Sequence, residues 1–89
     1  MKKTYKITSA EGLHARPTTL LVTAVTPFES EVTMTYKEKT VNLKSIMGVM
    51  ALGVASGAEI EVSAEGSDAA ALLDKVTEVI TSNGIGEEC

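Results

Sequence analysis

The sequence is poor in the residues that build deep or cross-linked sites. It contains no tryptophan, one phenylalanine and one cysteine, and that cysteine is the last residue, Cys89. A single cysteine cannot form an internal disulfide, so we interpret Cys89 as a solvated thiol. A chain this short buries only about 60–65% of its unfolded surface, which leaves little room for a deep cavity. We therefore expect a surface site and disfavour an enzyme that acts on a sizeable small molecule.

Basic charge and long apolar runs are also scarce. Twelve Asp and Glu outnumber eight Lys and Arg, which gives a formal net charge of −4. Because nucleic-acid binding needs a basic surface, we do not expect a direct nucleic-acid partner. No apolar run approaches the ~20 residues that span a bilayer, and the start lacks the apolar core of a signal peptide. These absences predict a cytoplasmic protein that is not inserted into a membrane.

Apolar periodicity predicts a single α+β domain over residues 1–89. Apolar and polar side chains alternate, as in half-buried strands, in four segments: residues 3–8, 32–36, 40–43 and 60–64. Helical spacing marks three more segments: residues 16–25, 46–52 and 69–80. The resulting order, β-α-β-β-α-β-α, favours a four-stranded antiparallel sheet with three helices on one face.

The first candidate site is the run GLHARP at residues 12–17, which places the only histidine, His14, at the mouth of the first helix. Backbone N–H groups at a helix N-terminus point outward, and the helix dipole favours negative charge. A phosphoryl group on the imidazole would find donors in the amides of Ala15 and Arg16, and the Arg16 guanidinium would clamp it. A histidine side chain also offers an unprotonated nitrogen nucleophile near neutral pH. By spacing alone, a histidine that merely caps the helix is an equal alternative.

The second candidate site is the run KSIMGVM at residues 44–50, in which Ser45 is the predicted N-cap of a short helix. A phosphate on Ser45 would add about −1.5 to −2 charge where the helix dipole favours it. The alternative is an ordinary N-cap serine, which the local physics favours. Apolar side chains near these two runs are ambiguous between core and surface, and we hypothesise that they form an exposed patch that meets several partners. The candidate partner-binding residues are Thr19, Leu20, Lys44, Ile46, Met47 and Met50.

At these two runs the sequence resembles the HPr phosphocarriers of the bacterial phosphoenolpyruvate:sugar phosphotransferase system. Residues 12–17 match the active-site motif of that family, and residues 40–50 are similar to the regulatory segment of its Gram-positive branch. The likeness runs essentially end to end. It implies the HPr-like open-faced β-sandwich, with a four-stranded antiparallel sheet and three helices.

The resemblance also implies a function. His14 would be phosphorylated on Nδ1 by enzyme I, with phosphoenolpyruvate as the ultimate donor, and would pass the group to a sugar-specific enzyme IIA, with Arg16 as its electrostatic partner. Ser45 would be the target of the ATP-dependent HPr kinase/phosphorylase. The Ser-phosphorylated form would then act as corepressor for a catabolite-control repressor of the LacI/GalR type. Such a protein is a monomeric carrier rather than an enzyme, and needs no metal or cofactor.

Four features depart from the pattern of the family. Pro27 stands where relatives commonly carry lysine, and Thr18 replaces a common alanine. The pair Lys37-Glu38 occupies a turn that often contains glycine, which predicts a looser hairpin. The tail that ends in residues 87–89 is unusual. None of the four changes His14, Arg16 or Ser45.

Three other functions are alternatives to that of a carrier. A purely regulatory paralogue would use only the Ser45 switch, but such proteins lack the active-site histidine that is present here. A small α+β hydrolase of the acylphosphatase type has a similar size, but the motif at residues 12–17 does not serve its chemistry. A structural interaction module would be modified neither by enzyme I nor by the kinase.

Overall fold

A five-stranded antiparallel sheet and three helices make up the chain, and the computed structural model describes all residues, Met1–Cys89. The strands follow the order β3-β2-β4-β1-β5 across the sheet. The predicted α+β class and the order of the seven predicted elements are confirmed. In chain order, the elements are β1 (Lys2–Ile7), α1 (Ala15–Val25), β2 (Glu31–Tyr36), β3 (Lys39–Asn42), α2 (Ile46–Ala51), β4 (Glu59–Glu65), α3 (Ala69–Ser82) and β5 (Gly86–Glu88).

One face of the sheet is buried under the helices, and the other is open. Successive strand residues point to opposite faces, so the alternation in each strand decides which face is apolar. In β4, Ile60, Val62 and Ala64 are buried, whereas Glu59 and Glu65 at its ends are exposed. The helices add their own apolar stripes, and the 22 buried hydrophobic residues form one continuous core. None of the helices is both long and apolar enough to cross a bilayer.

The strand β5 is a correction to the expected four-stranded sheet. Its residues pair antiparallel with β1, although Glu87 and Glu88 are both exposed and show no apolar alternation. Gly86 permits the close approach, because a Cβ atom there would lie 2.2 Å from the carbonyl oxygen of Lys6. An ion pair of 3.6 Å between Lys3 and Glu88 adds a contact between the two strands. These contacts join segments that are about eighty residues apart, so no local pattern signals them.

The hairpin between β2 and β3 turns in only two residues, Lys37 and Glu38. Lys37 has a φ of 56°, in the left-handed region that glycine usually occupies. The Nζ atom of Lys37 lies 5.3 Å from the centroid of the Tyr36 ring, within the range of a cation–π contact. The looser hairpin expected from the missing glycine is not observed, because lysine itself takes up the conformation that the turn needs.

Asp68 lies at the N-cap position of α3, but its side chain does not cap the helix. Its carboxylate instead accepts hydrogen bonds from the backbone N–H groups of Glu29 and Ser30, both at 2.9 Å, and from the Ser30 hydroxyl. Gly66 packs against the same serine, since a Cβ atom there would lie 2.5 Å from the Ser30 hydroxyl oxygen. The carboxylate thereby joins the start of α3 to the loop that leads into β2.

The Asp68 contacts predict a loss of stability at acid pH. The Ser30 hydroxyl and then the backbone N–H of Glu29 hold the pKa of Asp68 below its ordinary value. A carboxyl group with a lowered folded pKa stabilises the fold above its unfolded pKa, and this stabilisation is lost as the pH falls through the folded pKa. We therefore expect Asp68→Asn to unfold at a lower urea concentration at pH 7. Below about pH 4, the difference between the variant and the wild type should shrink.

Urea unfolding at a series of pH values measures this difference. Glu65→Gln is a matched control, because Glu65 is exposed and makes neither a hydrogen bond nor an ion pair through its side chain. The control should follow the wild-type curve. A constant difference between Asp68→Asn and the wild type at all pH values would contradict the assignment of the effect to the Asp68 charge.

Candidate functional site

Hydrogen bonds to two distant parts of the chain hold the loop that precedes α1. The carbonyl of Ile85, directly before β5, accepts from the N–H groups of Thr8 at 2.9 Å and Ser9 at 3.1 Å. On the other side, the N–H of Leu13 donates to the carbonyl of Val54 at 3.0 Å, in the segment between α2 and β4. The loop is thus anchored both to the last strand and to the segment that follows α2.

The same loop contains a tight turn that ends at Gly12. The N–H of Gly12 donates to the carbonyl of Ser9 at 3.0 Å, and the Ser9 hydroxyl donates to the carbonyl of Gly12 at 2.9 Å. Gly12 has a φ of 67°, and a Cβ atom there would lie 2.3 Å from the carbonyl oxygen of Val54. Only glycine meets both conditions, so the main chain approaches α1 along a defined path.

His14 lies at the N-cap of α1, as the sequence predicts, with an extended backbone. Its carbonyl accepts the first helical hydrogen bond, from the N–H of Thr18 at 3.0 Å, whereas its side chain makes no capping hydrogen bond and is exposed. The N–H groups of Ala15 and Arg16 belong to the first turn, which has no intrahelical partners for them. The alternative of a histidine that merely caps the helix is therefore not supported, because the imidazole makes no hydrogen bond to the helix.

Two shallow depressions meet at His14, which lines both of them together with Glu11. The first, of about 490 Å³, also contains Arg16 and the first turn of α1. The second, of about 280 Å³, extends toward α2 and reaches Met50. Sequence reasoning did not single out Glu11. Its place directly before the motif at residues 12–17 is the only local signal that could have found it.

The side chain of Arg16 is exposed and forms no ion pair. The ion pairs of the chain lie elsewhere, on the sheet and on α3. Since a guanidinium with no carboxylate partner keeps its donors free, an anion in the first depression could be bound by two of them at once. No group of three or more His, Cys, Asp or Glu side chains is placed to hold a metal ion.

Ser45 is the N-cap of α2, as predicted, and its hydroxyl accepts a hydrogen bond from the N–H of Gly48 at 3.0 Å. The neighbouring Lys44 is tied to the fold at both ends. Its N–H donates to the side chain of Asn42 at 2.9 Å, and its ammonium donates to the carbonyl of Phe28 at 2.7 Å. The loop that follows α1 therefore uses part of the hydrogen-bonding capacity of the Lys44 ammonium.

The cap at Ser45 predicts a measurable loss of stability. Replacing an N-cap serine by alanine leaves the helix N–H without its acceptor and typically costs ~1 kcal/mol. We therefore expect Ser45→Ala to lower the free energy of unfolding by about that amount, whereas Ser45→Asp should keep it because aspartate is also a good cap. Urea unfolding checks both values, with Ser56→Ala as the exposed control. Equal stabilities for Ser45→Ala and Ser56→Ala would contradict a role for the cap.

Four apolar side chains are exposed on the adjoining helices α1 and α2, and we call them together the docking patch: Leu20, Ile46, Met47 and Met50. Their exposed fractions are 38% for Leu20, 41% for Ile46, 84% for Met47 and 42% for Met50. Apart from Met1, no other large hydrophobic side chain is exposed. The ambiguity between core and surface is thus resolved, since α2 buries Val49 instead. Met50 also lines the second depression, so the docking patch adjoins His14.

The chain is similar to known proteins over most of its length. The family described as "PTS HPr component phosphorylation site" matches residues 1–82. The chain is similar to the histidine-containing phosphocarrier protein of Mycoplasma, with 36% identity and a TM-score of 0.94 over 97% of this chain and 98% of that chain. HPr-C-His from Thermoanaerobacter tengcongensis is 39% identical, with a TM-score of 0.88 over 92% of each chain.

The chain is also similar to a protein whose name refers to catabolite repression. Crh, the catabolite repression containing protein of Bacillus subtilis, is 36% identical, with a TM-score of 0.73 over 86% of this chain and 88% of that chain. That protein is described as a swapped dimer. The family match covers most of the chain, and His14 lies at the N-cap of α1. The chain therefore belongs to the HPr family of the phosphotransferase system, whose members are phosphocarrier proteins and not catalytic enzymes.

Proposed function

We propose that this chain is a cytoplasmic phosphocarrier that receives a phosphoryl group on His14 from enzyme I and passes it to a sugar-specific enzyme IIA. The observation that carries the proposal is the exposed imidazole at the N-terminus of α1, in one depression with the unpaired guanidinium of Arg16. Phosphoryl transfer depends on positioning and charge stabilisation more than on covalent machinery, and this site offers both.

In the proposed step, Nδ1 of the His14 imidazole attacks the phosphorus atom held by enzyme I. The new N–P bond forms while the bond between phosphorus and the donor atom of enzyme I breaks, and the bonding electron pair leaves with that atom. The amides of Ala15 and Arg16 would donate to the phosphoryl oxygens, and the Arg16 guanidinium would balance part of their charge. Transfer to enzyme IIA repeats the step with His14 as the donor.

The openness of the site favours a carrier over a hydrolase. Both depressions are shallow, and the imidazole is exposed, so a partner protein reaches the nitrogen directly. A hydrolase would need a group that activates water within an enclosed site, and the only other charged side chains around His14 are Glu11 and Arg16. A phosphorylated His14 would thus wait for an acceptor protein.

We propose that both transfer partners dock on the docking patch together with Thr19 and Lys44. Thr19 is exposed on α1, and its hydroxyl donates to the carbonyl of Ala15 at 2.8 Å, within the first turn of the helix. Exposed apolar patches on small proteins mark interaction sites, and methionine adapts to partners of different shape. The proximity of Met50 to His14 would bring the docked partner to the imidazole. The carrier itself would act as a monomer.

A phosphate on Ser45 would then regulate the carrier. We propose that the HPr kinase/phosphorylase modifies this hydroxyl, which lies at the start of the helix that carries most of the docking patch. The added dianion would repel acidic partner surfaces and slow transfer at His14. It would also recruit a partner with basic residues, for which we propose a catabolite-control repressor of the LacI/GalR type.

Phosphorylation by enzyme I tests the carrier function directly. The protein is incubated with phosphoenolpyruvate, Mg²⁺ and a catalytic amount of an enzyme I of proven activity, preferably the cognate one. Intact-mass analysis without acid should then show one phosphoryl adduct, and brief acid treatment should remove it. No adduct on the wild-type protein would refute the carrier function.

A regulatory-only protein is the second candidate, and it is favoured by the similarity to Crh. It predicts the opposite pattern of modification. Incubation with ATP and the HPr kinase would give an acid-stable adduct that is absent from Ser45→Ala, while enzyme I would give none. An adduct from each enzyme, on His14 and on Ser45 respectively, would support the carrier with its regulatory switch.

A further inference from the structure

We propose that Glu11 raises the phosphoryl-transfer potential of this carrier by electrostatic repulsion of the phosphoryl group on His14. The inference rests on the proposed phosphorylation of His14 and goes beyond it, because it assigns to this chain a residue that opposes the bound phosphoryl group. Arg16 and Glu11 would then act in opposite directions, one holding the phosphoryl group and the other favouring its departure.

The backbone of Glu11 is firmly positioned. Glu11 is a central residue of the turn that the hydrogen bond between Gly12 and Ser9 closes. That turn is anchored to the carbonyl of Ile85 on one side and to the carbonyl of Val54 on the other. The carboxylate thus projects from an anchored turn, so its distance from the imidazole depends on the rotamers of the two side chains.

Glu11 lines the same depressions as the reacting side chain. Glu11 and His14 are the two residues that line both depressions. In the first, Glu11 shares the surface with Arg16. In the second, which opens toward the docking patch, Glu11 is the only acidic or basic residue besides His14, among apolar neighbours. A phosphoryl group on the imidazole would therefore project into a depression that Glu11 also lines, whichever of the two it enters.

No cation neutralises this carboxylate. Glu11 forms no ion pair and makes no side-chain hydrogen bond, and Arg16 is not within ion-pair distance of it. Its side chain is exposed, so water screens the interaction but does not abolish it. Two like charges on the lining of one small solvated depression should shift an equilibrium constant by about threefold to tenfold.

The equilibrium with phosphoenolpyruvate and pyruvate measures the transfer potential. In this reaction the C–O–P linkage of phosphoenolpyruvate is cleaved at phosphorus, the N–P bond of His14 forms, and the enolate takes up a proton to give pyruvate. The protein is equilibrated with enzyme I and Mg²⁺ at a series of phosphoenolpyruvate-to-pyruvate ratios, and intact mass gives the phosphorylated fraction. Because an equilibrium does not depend on the catalyst, altered docking to enzyme I cannot mimic the result.

Three variants make the test specific. Glu11→Gln removes the charge. It should be half-phosphorylated at a phosphoenolpyruvate-to-pyruvate ratio about threefold to tenfold lower than the ratio that the wild type needs. Glu11→Asp keeps the charge and should stay close to the wild type. Glu65→Gln removes an exposed carboxylate at the last residue of β4, whereas Val54 lies before the first residue of that strand. This variant should leave the midpoint of phosphorylation unchanged. Raising the salt concentration should reduce the Glu11→Gln shift.

The possible outcomes separate this inference from the proposed function. If the wild type is phosphorylated but Glu11→Gln has the same midpoint or a higher one, the role of Glu11 is refuted and the carrier stands. An equal shift of the midpoint in Glu11→Asp and Glu11→Gln would also refute the role of Glu11, and so would a shift that does not change with the salt concentration. In either case the cause of the shift would not be the charge. If an active enzyme I leaves the wild type unmodified, the proposed function fails, and the role of Glu11 fails with it.

Discussion

The His14→Gln variant is expected to lose phosphorylation by enzyme I completely while it keeps the stability of the wild-type protein. Glutamine offers an amide in place of the imidazole nitrogen, and an amide has no comparable nucleophilic lone pair. The His14 side chain is exposed and makes no hydrogen bond, so removing it disturbs no packing. A surface change of this kind usually alters the free energy of unfolding by no more than about 0.5 kcal/mol. Intact-mass analysis and urea unfolding of the same preparation measure the two quantities.

Two controls accompany this variant. Ser45→Ala should still accept a phosphoryl group from enzyme I, because it retains the imidazole and loses only the cap of α2. Arg16→Ala should accept the group more slowly, because it keeps the nucleophile and loses the guanidinium. If His14→Gln still carries an acid-labile phosphoryl adduct, the phosphorylated residue is not His14, and the proposed mechanism is wrong.

The Gly12→Ala variant is expected to lose stability by about 2–4 kcal/mol. Two costs combine at this position. A left-handed φ is unfavourable for any residue with a Cβ atom, by about 1–2 kcal/mol. In addition, the new Cβ atom would lie 2.3 Å from the carbonyl oxygen of Val54, so the loop or the segment after α2 must move. Small domains have only about 5–15 kcal/mol of stability, which makes such a loss large.

Gly53→Ala is a matched control for Gly12→Ala. Gly53 has almost the same φ, 65°, but a Cβ atom there would meet nothing within 4 Å. It should therefore lose only the conformational cost of about 1–2 kcal/mol. Urea unfolding gives the difference between the two variants, which reports the steric cost alone. The initial rate of phosphorylation should fall in Gly12→Ala, because the loop that moves carries His14. Equal stability losses and equal rates in the two variants would show that Val54 yields without cost.

The regular elements of this fold are largely readable from the sequence. The helix α1 ends at Val25, two residues before Pro27, because proline cannot continue a helix. The helix α2 begins after the predicted cap at Ser45, and the left-handed Gly53 follows its end. Such signals lie within a few residues of the element that they bound, so a single sequence displays them.

The features that were missed or mistaken depend on contacts between distant segments. The last strand forms because Gly86 lies against Lys6, and nothing within residues 86–88 itself favours a strand. Asp68 is a residue type that commonly caps helices, but its carboxylate accepts hydrogen bonds from Glu29 and Ser30. These partners lie 39 and 38 positions earlier in the chain. A local pattern records what a residue can do, whereas the folded chain decides which of several partners it meets.

The same division holds for the functional site. The sequence by itself determined that His14 starts a helix and that Ser45 caps one, and it carried the resemblance to the HPr family, because caps and motifs are local. Only the tertiary structure decided that α2 turns Met47 and Met50 outward and brings Met50 to the depression at His14. These relations arise from the packing of α1, α2 and the loop before α1 around one core, and packing joins residues that no short segment contains.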